Sequence, residues 1–521
     1  MSETGQRLHT IELSEPNARI GLAELRRVYA APVRLALGAA TREAIDAAEA
    51  VVATTVRNQR VVYGINTGFG QLAQTVVGPD DLRELQTNLV RSHSAGVGAP
   101  LDDAVIRLVL LLKATGLARG RSGVRGVLVD ALAQMLECEV YPLIPAKGSV
   151  GASGDLAPLA HLAGVLIGEG QVRYRGEVLS AMEGLDAAGL TPIELAPKEG
   201  IALVNGTQVS TALALVGLFA IEDLFAAAVL SGALSVDAVR GSDVPFDERI
   251  QVARGQHGQV AVASVYRSLL KGSAIRESHR DCGRVQDPYS VRCQPQVMGA
   301  CLDVMLSAAG ILEIEANAVT DNPLIFAETD EVLSGGNFHA EPVAMAADML
   351  AIAVAEVGAI SERRTALLVD SHLSGLPPFL TEHGGVESGF MIAQVTAAAL
   401  ASENKTLAHP ASVDSLPTSA NQEDHVSMAA FAGRRLSEMA DNTTGIIAIE
   451  LLAAAQGVEY HRPLQTADRL QQTIEMIRAL VPTYDRDRTM APDIEAIKGL
   501  VQGGRCRALV PELQLPSGAV G

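Results

Sequence analysis

The chain has 521 residues, of which 48% are hydrophobic and only 3% aromatic, a composition that excludes a disordered polypeptide and favours long helices rich in Ala and Leu. Its formal net charge of −19 argues against nucleic-acid binding, because an acidic surface repels the phosphate backbone. The five cysteines are odd in number and form no C-x-x-C pair, so neither a disulfide framework nor a structural zinc site is expected, and a reducing cytoplasm is the natural setting.

The first part of the chain predicts a mixture of strands, helices and loops. The N-terminal residues lack the basic-then-apolar pattern of a secretory signal, which also favours a cytoplasmic location. Glycine is so frequent in "YGINTGFG" that it predicts an ordered loop instead of a helix. The remaining predictions are a strand at 9–15, helices at 42–56, 80–96 and 101–120, and a hairpin at 170–180.

From about residue 205 onward the pattern is mostly helical. The stretches 296–319, 341–369 and 388–408 are long, Ala-rich and apolar on more than one face, as expected for helices inside a bundle. The most apolar stretch, 212–236, is interrupted by Glu222 and Asp223, which indicates a buried helix and not a membrane span.

The chain as a whole predicts a mainly α fold with two parts. A smaller mixed N-terminal domain (1–205) is expected to pack on a long central helical bundle (206–521). We see no internal repeat and no low-complexity linker between them.

The octapeptide "GSVGASGD" (148–155) has an unusually bare backbone. It lacks the spacing of a phosphate-binding loop, and Asp155 stands where a nucleophile elbow requires glycine. A tight turn before a helix also fits, with Asp155 as the N-cap and Pro158 in the first turn.

A more specific possibility uses the backbone itself. Because Gly154 has no Cβ, its nitrogen can approach the carbonyl carbon of Ala152 and close a five-membered ring. Loss of two waters, one of them from the Ser153 side chain, leaves an exocyclic methylidene on an imidazolone. Such a group is a strong electrophile made from the chain alone.

The stretch "GSVGASGDLAPLAHLA" (148–163) resembles the signature of the aromatic amino acid ammonia-lyases, which carry a 4-methylidene-imidazol-5-one (MIO) group. The resemblance implies an aspartase- or fumarase-like helical bundle, MIO formed from Ala152-Ser153-Gly154, and no external cofactor. It also implies a homotetramer in which several chains build each active site. Further similar stretches are 63–70, 88–98, 203–207, 286–297, 317–324, 334–339 and 402–429.

The resemblance implies roles for two residues near this electrophile. Tyr63 is similar to the family's catalytic base, although its ordinary pKa of about 10 would have to be lowered or its proton taken by a neighbour. Asn205 resembles the asparagine that hydrogen-bonds the MIO carbonyl and so stabilises charge on the ring. Without the resemblance, Tyr63 would be interpreted as an anchor of its loop.

Gln286, Tyr289 and Arg292 are spaced three residues apart. Asp287 as N-cap and Pro288 as first helical residue predict a short helix that presents the three side chains to one pocket. Arg292 suits a substrate carboxylate, because its guanidinium fork matches a carboxylate with two hydrogen bonds; the alternative is a surface salt bridge.

The side-chain end of the pocket indicates the substrate. Ser92-His93 and Glu423 resemble the residues of the family members that act on histidine, and Phe338 resembles an aromatic wall, with core packing as its alternative. A carboxylate and a histidine can hydrogen-bond both nitrogens of an imidazole, so a phenyl ring would leave them unpaired. The expected reaction is elimination of ammonia from L-histidine to give trans-urocanate, the first step of histidine degradation.

Three alternatives stay open at this point. They are a tyrosine or phenylalanine ammonia-lyase or 2,3-aminomutase of the same family, a relative without a prosthetic group, and a non-catalytic helical scaffold. No metal is expected, because His339, His383, His409 and His425 lack a spacing such as H-E-x-x-H, and we interpret them as structural. The expected partner is a small amino acid, with neither nucleic acid nor membrane.

Overall fold

The computed structural model describes residues 8–68, 70, 74–279 and 285–518. It contains two compact units. The first combines the described part of Met1–Val216 with Gly310–Asp348 and Pro410–Arg434; the second combines Gly217–Ala309, Met349–His409 and the described part of Arg435–Gly521. The division predicted from the sequence, 1–205 and 206–521, stays a prediction.

The strands of the first unit are short and form small sheets of two or three strands. Strands β1 (His9–Leu13) and β2 (Val33–Leu37) pair in parallel, whereas β3 (Val97–Pro100) pairs with β5 (Pro145–Lys147) in antiparallel fashion. A three-stranded sheet has the order β4 (Tyr141–Pro142), β6 (Gln171–Tyr174), β7 (Glu177–Ser180), and β8 (Leu324–Phe326) pairs with β9 (Glu331–Leu333). The hairpin predicted at 170–180 is confirmed as β6–β7.

Helices dominate the described residues, which confirms the predicted mainly α fold. Before residue 205 they are α1 (Leu22–Ala30), α2 (Ala39–Arg57), α3 (Leu82–His93), α4 (Asp103–Ala118), α5 (Gly126–Glu137), α6 (Leu156–Leu166), α7 (Ala181–Ala187) and α8 (Glu199–Val204). The helices predicted at 42–56, 80–96 and 101–120 are therefore confirmed as α2, α3 and α4. Of the loop predicted around 63–70, Phe69 and residues 71–73 lie outside the described residues.

The helices after residue 205 range from four to 31 residues in length. They are α9 (Gln208–Ala238), α10 (Glu248–Arg254), α11 (His257–Leu270), α12 (Ala274–Glu277), α13 (Tyr289–Arg292), α14 (Gln294–Ala316), α15 (Glu341–Val369), α16 (Ser371–Ser374), α17 (Met391–Leu407), α18 (Ala429–Glu459), α19 (Asp468–Arg478) and α20 (Ala491–Gln502). Short 3₁₀ turns lie at Pro79–Asp81, Val244–Phe246, Pro378–Leu380, Ser419–Asn421 and Arg505–Leu509.

Helix α9 is a core helix, which agrees with the apolar side chains that occupy most positions on all its faces. Three of the described helices, α9, α14 and α15, are long and apolar enough to cross a membrane by length and composition alone, but 94% of the apolar window of α9 is buried inside the protein. One of its three acidic residues, Glu222, is fully buried and accepts hydrogen bonds from the Ser517 backbone at 2.7 Å and from Arg507 at 3.2 Å. A paired carboxylate of this kind can lie in a core without an uncompensated charge.

Candidate active site

One cavity of about 990 Å³ in the first unit gathers most of the predicted site residues. Its wall is built by the end of α3, the loop before α6, the linker between α8 and α9, and segments around residues 335 and 423. Chain segments that are far apart in sequence therefore meet at one place. The predicted residues on its wall are Tyr63, His93, Ala152, Ser153, Asn205, Phe338 and Glu423.

The glycines of the 148–155 loop are required by close backbone packing. A Cβ on Gly154 would lie 2.2 Å from the carbonyl oxygen of Gly206, and Gly154 itself has φ +76°. A Cβ on Gly151 would lie 2.2 Å from the Ser427 hydroxyl. The loop thus fits a backbone condensation at 152–154, because Gly154 has no side chain to block the approach of its nitrogen to the carbonyl carbon of Ala152.

Asp155 occupies the N-cap position of α6, as predicted, but its side chain does not cap that helix. The buried carboxylate instead accepts hydrogen bonds from the backbone nitrogen of Ser210 at 2.7 Å, its hydroxyl at 2.9 Å, and the Ser149 hydroxyl at 2.8 Å. Ser210 is the third residue of α9, so Asp155 stabilises the positive end of a different helix. The expected capping of α6 is corrected accordingly, and burial raises the pKa of Asp155.

Ser153 and Glu423 are in direct contact inside the cavity. The Ser153 hydroxyl donates a hydrogen bond to Glu423 Oε1, while Glu423 Oε2 accepts from the Thr418 hydroxyl at 2.7 Å and the Ser419 hydroxyl at 2.9 Å. Burial works to raise the pKa of Glu423, but these hydroxyl donors and the nearby His93 outweigh burial and lower the pKa overall. Glu423 is therefore an ionised carboxylate at neutral pH.

Tyr63 and His93 are both neutral at pH 7. Burial and the field of Glu423 raise the pKa of Tyr63 above its ordinary value, against a hydrogen bond from the Gly70 backbone. The lowered pKa that a tyrosine base would need is therefore absent from this state of the protein. Burial lowers the pKa of His93, although the Leu89 backbone and Glu423 act in the opposite direction.

Asn205 and Phe338 both line the cavity. The Asn205 amide donates to the backbone oxygen of Asn322 at 2.9 Å, and its own backbone oxygen accepts from Lys113 at 2.6 Å. Phe338 is half-buried and faces the cavity, so the alternative of simple core packing does not describe it.

Gln286, Tyr289 and Arg292 belong to the second unit, and none of them lines the cavity. The predicted helix starts later than expected: α13 begins at Tyr289 with Pro288 as its N-cap, and Gln286 precedes it. The reason is that Asp287 accepts a hydrogen bond from the Ser242 backbone at 2.7 Å instead of capping α13. The helix therefore presents Tyr289 and Arg292 without Gln286.

Arg292 is not the surface ion pair that the alternative interpretation required. Its guanidinium lies 4.7 Å from the centre of the Tyr289 ring, and Tyr289 is 71% exposed. Among the described residues Arg292 forms no salt bridge, and its buried Nε has no hydrogen-bond partner. A stacked guanidinium with spare donors remains available to a carboxylate.

Several residues near the cavity escaped the sequence analysis. Asn322 and Asp424 line the wall, and Lys113 contacts Asn205 from behind it. The ligand atoms of His339, Glu341 and His425 lie within 4.8 Å of one another and could hold a metal ion. The sequence analysis interprets His339 and His425 as structural and misses Glu341, because the three residues form no known metal-binding spacing. Only the fold brings them together, and the expectation of no metal stays a prediction.

Comparison with known proteins gives the same picture over most of the chain. A family model described as aromatic amino acid lyase matches residues 20–479. The chain is 60% identical to the histidine ammonia-lyase of Desulfotalea psychrophila over 96% of this chain and 98% of that one, and 62% identical to that of Rhodospirillum rubrum over 94% and 96%.

Solved structures are similar over the same extent. The histidine ammonia-lyase of Trypanosoma cruzi superimposes with a TM-score of 0.89 at 40% identity, covering 98% of this chain and 96% of that chain. The tyrosine aminomutase of Streptomyces globisporus gives a TM-score of 0.89 at 36% identity, with 97% and 100% covered. The whole fold described above is thus shared with these proteins.

Proposed function

Because the chain belongs to the aromatic amino acid lyase family and is a carbon–nitrogen lyase, we propose that it eliminates ammonia from L-histidine to give trans-urocanate, the first step of histidine degradation. The observation that carries this proposal is the direct contact of Ser153 with Glu423 in a cavity that His93 also lines. An ionised carboxylate and a neutral imidazole beside the reactive loop match an imidazole substrate. We propose a cytoplasmic location for this reaction.

Ala152, Ser153 and Gly154 are proposed to condense into MIO, with no external cofactor. Two observations support this. Gly154 packs so closely on Gly206 that only glycine fits at this position of the ring, and Ser153, whose side chain would become the methylidene, lines the cavity that the substrate would enter. The group supplies an electrophile that draws electrons from the substrate and so makes departure of the amine easier. The following roles belong to the chain's own residues.

Glu423 and His93 are proposed to hold the substrate imidazole. The Glu423 carboxylate accepts a hydrogen bond from the imidazole N–H, and the neutral His93 ring pairs with the other nitrogen. Phe338 forms an apolar wall beside them. A phenylalanine side chain would give the half-buried Glu423 Oε1 and the His93 ring no substrate hydrogen-bond partner, which is a basis for discrimination.

Tyr63 is proposed to take the β-proton, with Glu423 as the alternative base. The phenol is protonated in the free protein because burial and the charge of Glu423 raise its pKa. A donor bound to Glu423 weakens that field, so substrate binding favours loss of the Tyr63 proton. Asn205, fixed by Asn322, is proposed to donate toward the negative charge that develops on the MIO carbonyl.

Gln286, Tyr289 and Arg292 are proposed to enter the site from a neighbouring chain of a homotetramer. Their absence from the cavity wall of their own chain supports this, and so does the unpartnered Nε of Arg292. Arg292 would clamp the substrate carboxylate, while Gln286 and Tyr289 bind beside it. Each active site is then built from several chains.

The experiment that tests the function is a spectrophotometric screen of amino acids combined with intact-mass measurement. We expect urocanate from L-histidine and a chain lighter by two waters. Coumarate or cinnamate formation would indicate a tyrosine or phenylalanine lyase, a β-amino acid product would indicate an aminomutase, and an unmodified mass without turnover would indicate a non-catalytic scaffold.

Ser153→Ala tests the role of the triplet. We expect kcat to fall by at least about a thousandfold with an unchanged helical spectrum, because the side chain that becomes the methylidene is gone. Ser149→Ala is the comparison in the same loop: it keeps Ser153 and should still lose two waters, but more slowly, because the Ser149 hydroxyl holds Asp155 and the Gly154 carbonyl. Near-normal turnover by Ser153→Ala would exclude the proposed chemistry.

A further inference from the structure

Lys113 is a buried cation without a carboxylate partner. It lies in α4 directly after three consecutive leucines and before an alanine, and is only 2% exposed. Its ammonium donates to the backbone oxygen of Asn205 at 2.6 Å and lies 3.5 Å from Gln208 Oε1. Within the described part of the chain it forms no salt bridge. A protein with an apolar side chain of similar volume at this position would usually be as stable as the wild type or more stable, so stability alone does not explain this lysine.

The peptide that Lys113 holds packs directly against the reactive loop. The Asn205 carbonyl is bound by Lys113, and the next carbonyl, that of Gly206, accepts the backbone N–H of Asp155 at 2.8 Å. Gly154 and Gly206 lie so close that neither backbone has room to shift toward the other. The position of the Asn205–Gly206 peptide therefore limits where Gly154 can lie.

The other side of Asn205 has its own anchor. The Asn205 amide donates to the Asn322 oxygen, and the Asn322 nitrogen donates to Asp321 Oδ1 at 2.7 Å. Asp321 in turn is paired with the fully buried Lys198 at 2.7 Å. Lys198 thus neutralises Asp321, whereas Lys113 is bound to the carbonyl of Asn205.

We propose that Lys113 is a positioning residue that acts through the Asn205 carbonyl: it fixes the Asn205–Gly206 peptide so that Gly154 is held for ring closure and the Asn205 amide is aimed at the ring. This inference rests on the proposed function. In the step that it promotes, a bond forms between Gly154 N and the Ala152 carbonyl carbon. The Ala152 oxygen leaves as one water with the amide hydrogens of Gly154 and Ser153, so that a C=N bond forms between the Ala152 carbon and Ser153 N. The Ser153 hydroxyl leaves as the second water with the Ser153 Cα hydrogen, so that the exocyclic C=C bond forms. No oxidant or reductant is required.

Burial supports a role as hydrogen-bond donor more than as a fixed charge. Desolvation lowers the pKa of Lys113 to about 7, with Lys198 acting in the same direction and Asp321 and Asp155 opposing it. Either protonation state keeps an N–H for the Asn205 oxygen. Lys113→Met keeps the length and the apolar stem of the side chain but removes the donor.

The test compares Lys113→Met with Arg107→Met in the full-length protein. Arg107 is the matched control because it is a buried cation of the same helix that also donates to backbone carbonyls, those of Val28 and Tyr29, both at 3.0 Å. For each variant the fraction of the 152–154 peptide that has lost two waters is measured by mass spectrometry. Helical content, kcat and KM are measured on the same preparations.

We expect folded Lys113→Met to show at least about a tenfold loss in the rate of ring formation or in kcat, with KM within about twofold of the wild type, because Lys113 touches no cavity surface. Arg107→Met should retain the full loss of two waters, even if it is less stable. If folded Lys113→Met forms the ring completely and has wild-type kcat, the positioning role is overturned.

A second variant covers the case in which Lys113→Met does not fold. Lys113→Gln keeps a shorter donor and should fold with slower ring formation, which would support the proposal. If Lys113→Gln also fails to fold while Arg107→Met folds, Lys113 is a structural residue and the proposal is overturned. A wild-type chain that never loses two waters would instead remove the proposed function itself, so the two failures are distinguishable.

Discussion

Glu423 brings an ionised carboxylate to the cavity wall beside His93, and the Thr418 and Ser419 hydroxyls hold it there independently of Ser153. We predict that Glu423→Gln lowers kcat/KM for L-histidine by roughly 10- to 100-fold, because a charge-assisted hydrogen bond to the imidazole is lost. The measurement is urocanate formation in steady state. The same preparations are examined by mass, so that a defect in ring formation is separated from a defect in substrate binding.

Asp424→Asn is the control for that prediction. Asp424 is the next residue, also a carboxylate on the cavity wall, and the proposed function gives it no contact with the imidazole. Its removal should change kcat/KM for histidine only slightly. Equal losses in the two variants would show that the pocket responds to net charge and not to the hydrogen bond of Glu423.

The burial of Lys113 predicts how the free energy of unfolding depends on pH. Its pKa is about 7 in the folded protein, against 10.5 in an unfolded chain. Between these values the unfolded chain binds more protons, so the free energy of unfolding rises with pH by at most about 1.4 kcal/mol per pH unit. We predict this rise for the wild type relative to Lys113→Met, measured by urea denaturation at several pH values; parallel curves would contradict it.

The sequence identifies the residues proposed to react better than it identifies the residues that hold them in position. Ala152, Ser153 and Gly154 are contiguous, so a local pattern is enough to identify them. Lys113 instead contacts Asn205 across a sequence separation of 92 residues, and no local pattern records that contact. Burial and hydrogen bonding across this separation depend on the packed fold, so the sequence alone does not predict that Lys113 contacts Asn205.

At the scale of elements, periodicity predicts the existence of helices more reliably than their ends. Helices α2, α3 and α4 lie where the apolar pattern places them. Local capping predicts helix starts at Asp155 and Asp287, yet both carboxylates accept hydrogen bonds elsewhere, from Ser210 at the start of α9 and from the backbone of Ser242. A carboxylate at an N-cap position can bond either the first turn of its own helix or a donor distant in sequence, and the sequence alone does not show which.

Three long helices, α9, α15 and α18, are joined in the second unit by a buried carboxylate. Glu450 of α18 accepts from Ser231 and Ser235 of α9 and from Ser361 and Arg364 of α15, and both members of the Arg364–Glu450 pair are 0% exposed. We predict that Glu450→Ala costs about 3 to 5 kcal/mol of stability, because Arg364 is left as an uncompensated buried charge. Chemical denaturation measures this.

The control for Glu450 is a carboxylate of the same helix on the surface. Asp441 pairs with Lys498 at 3.0 Å and is 52% exposed, so Asp441→Ala should cost no more than about 1 kcal/mol. The double variant Glu450→Leu, Arg364→Met should recover part of the loss of Glu450→Ala, since neither charge then remains buried. A double variant less stable than the single one would show that the pair itself is stabilising.

At the scale of the whole molecule, the predicted site residues divide between the two units. Ser153 and Glu423 belong to the first unit and share its cavity, whereas Tyr289 and Arg292 belong to the second and line no part of that cavity. The sequence does not predict this division, because helix spacing says nothing about which copy of the chain a side chain serves. A closed oligomer of identical chains can supply the missing groups from a neighbour.

Subunit mixing tests this supply directly. Ser153→Ala and Arg292→Ala are each expected to be inactive, but their co-expression should restore about a quarter of the sites, because a site is intact when an Arg292→Ala chain provides the cavity and a Ser153→Ala chain provides the arginine. The control pair is Ser153→Ala with Glu423→Ala, whose side chains are in contact within one chain and should not complement. Histidine turnover of the mixed protein is the measurement. Equal recovery by both pairs, or by neither, would contradict an active site shared between chains.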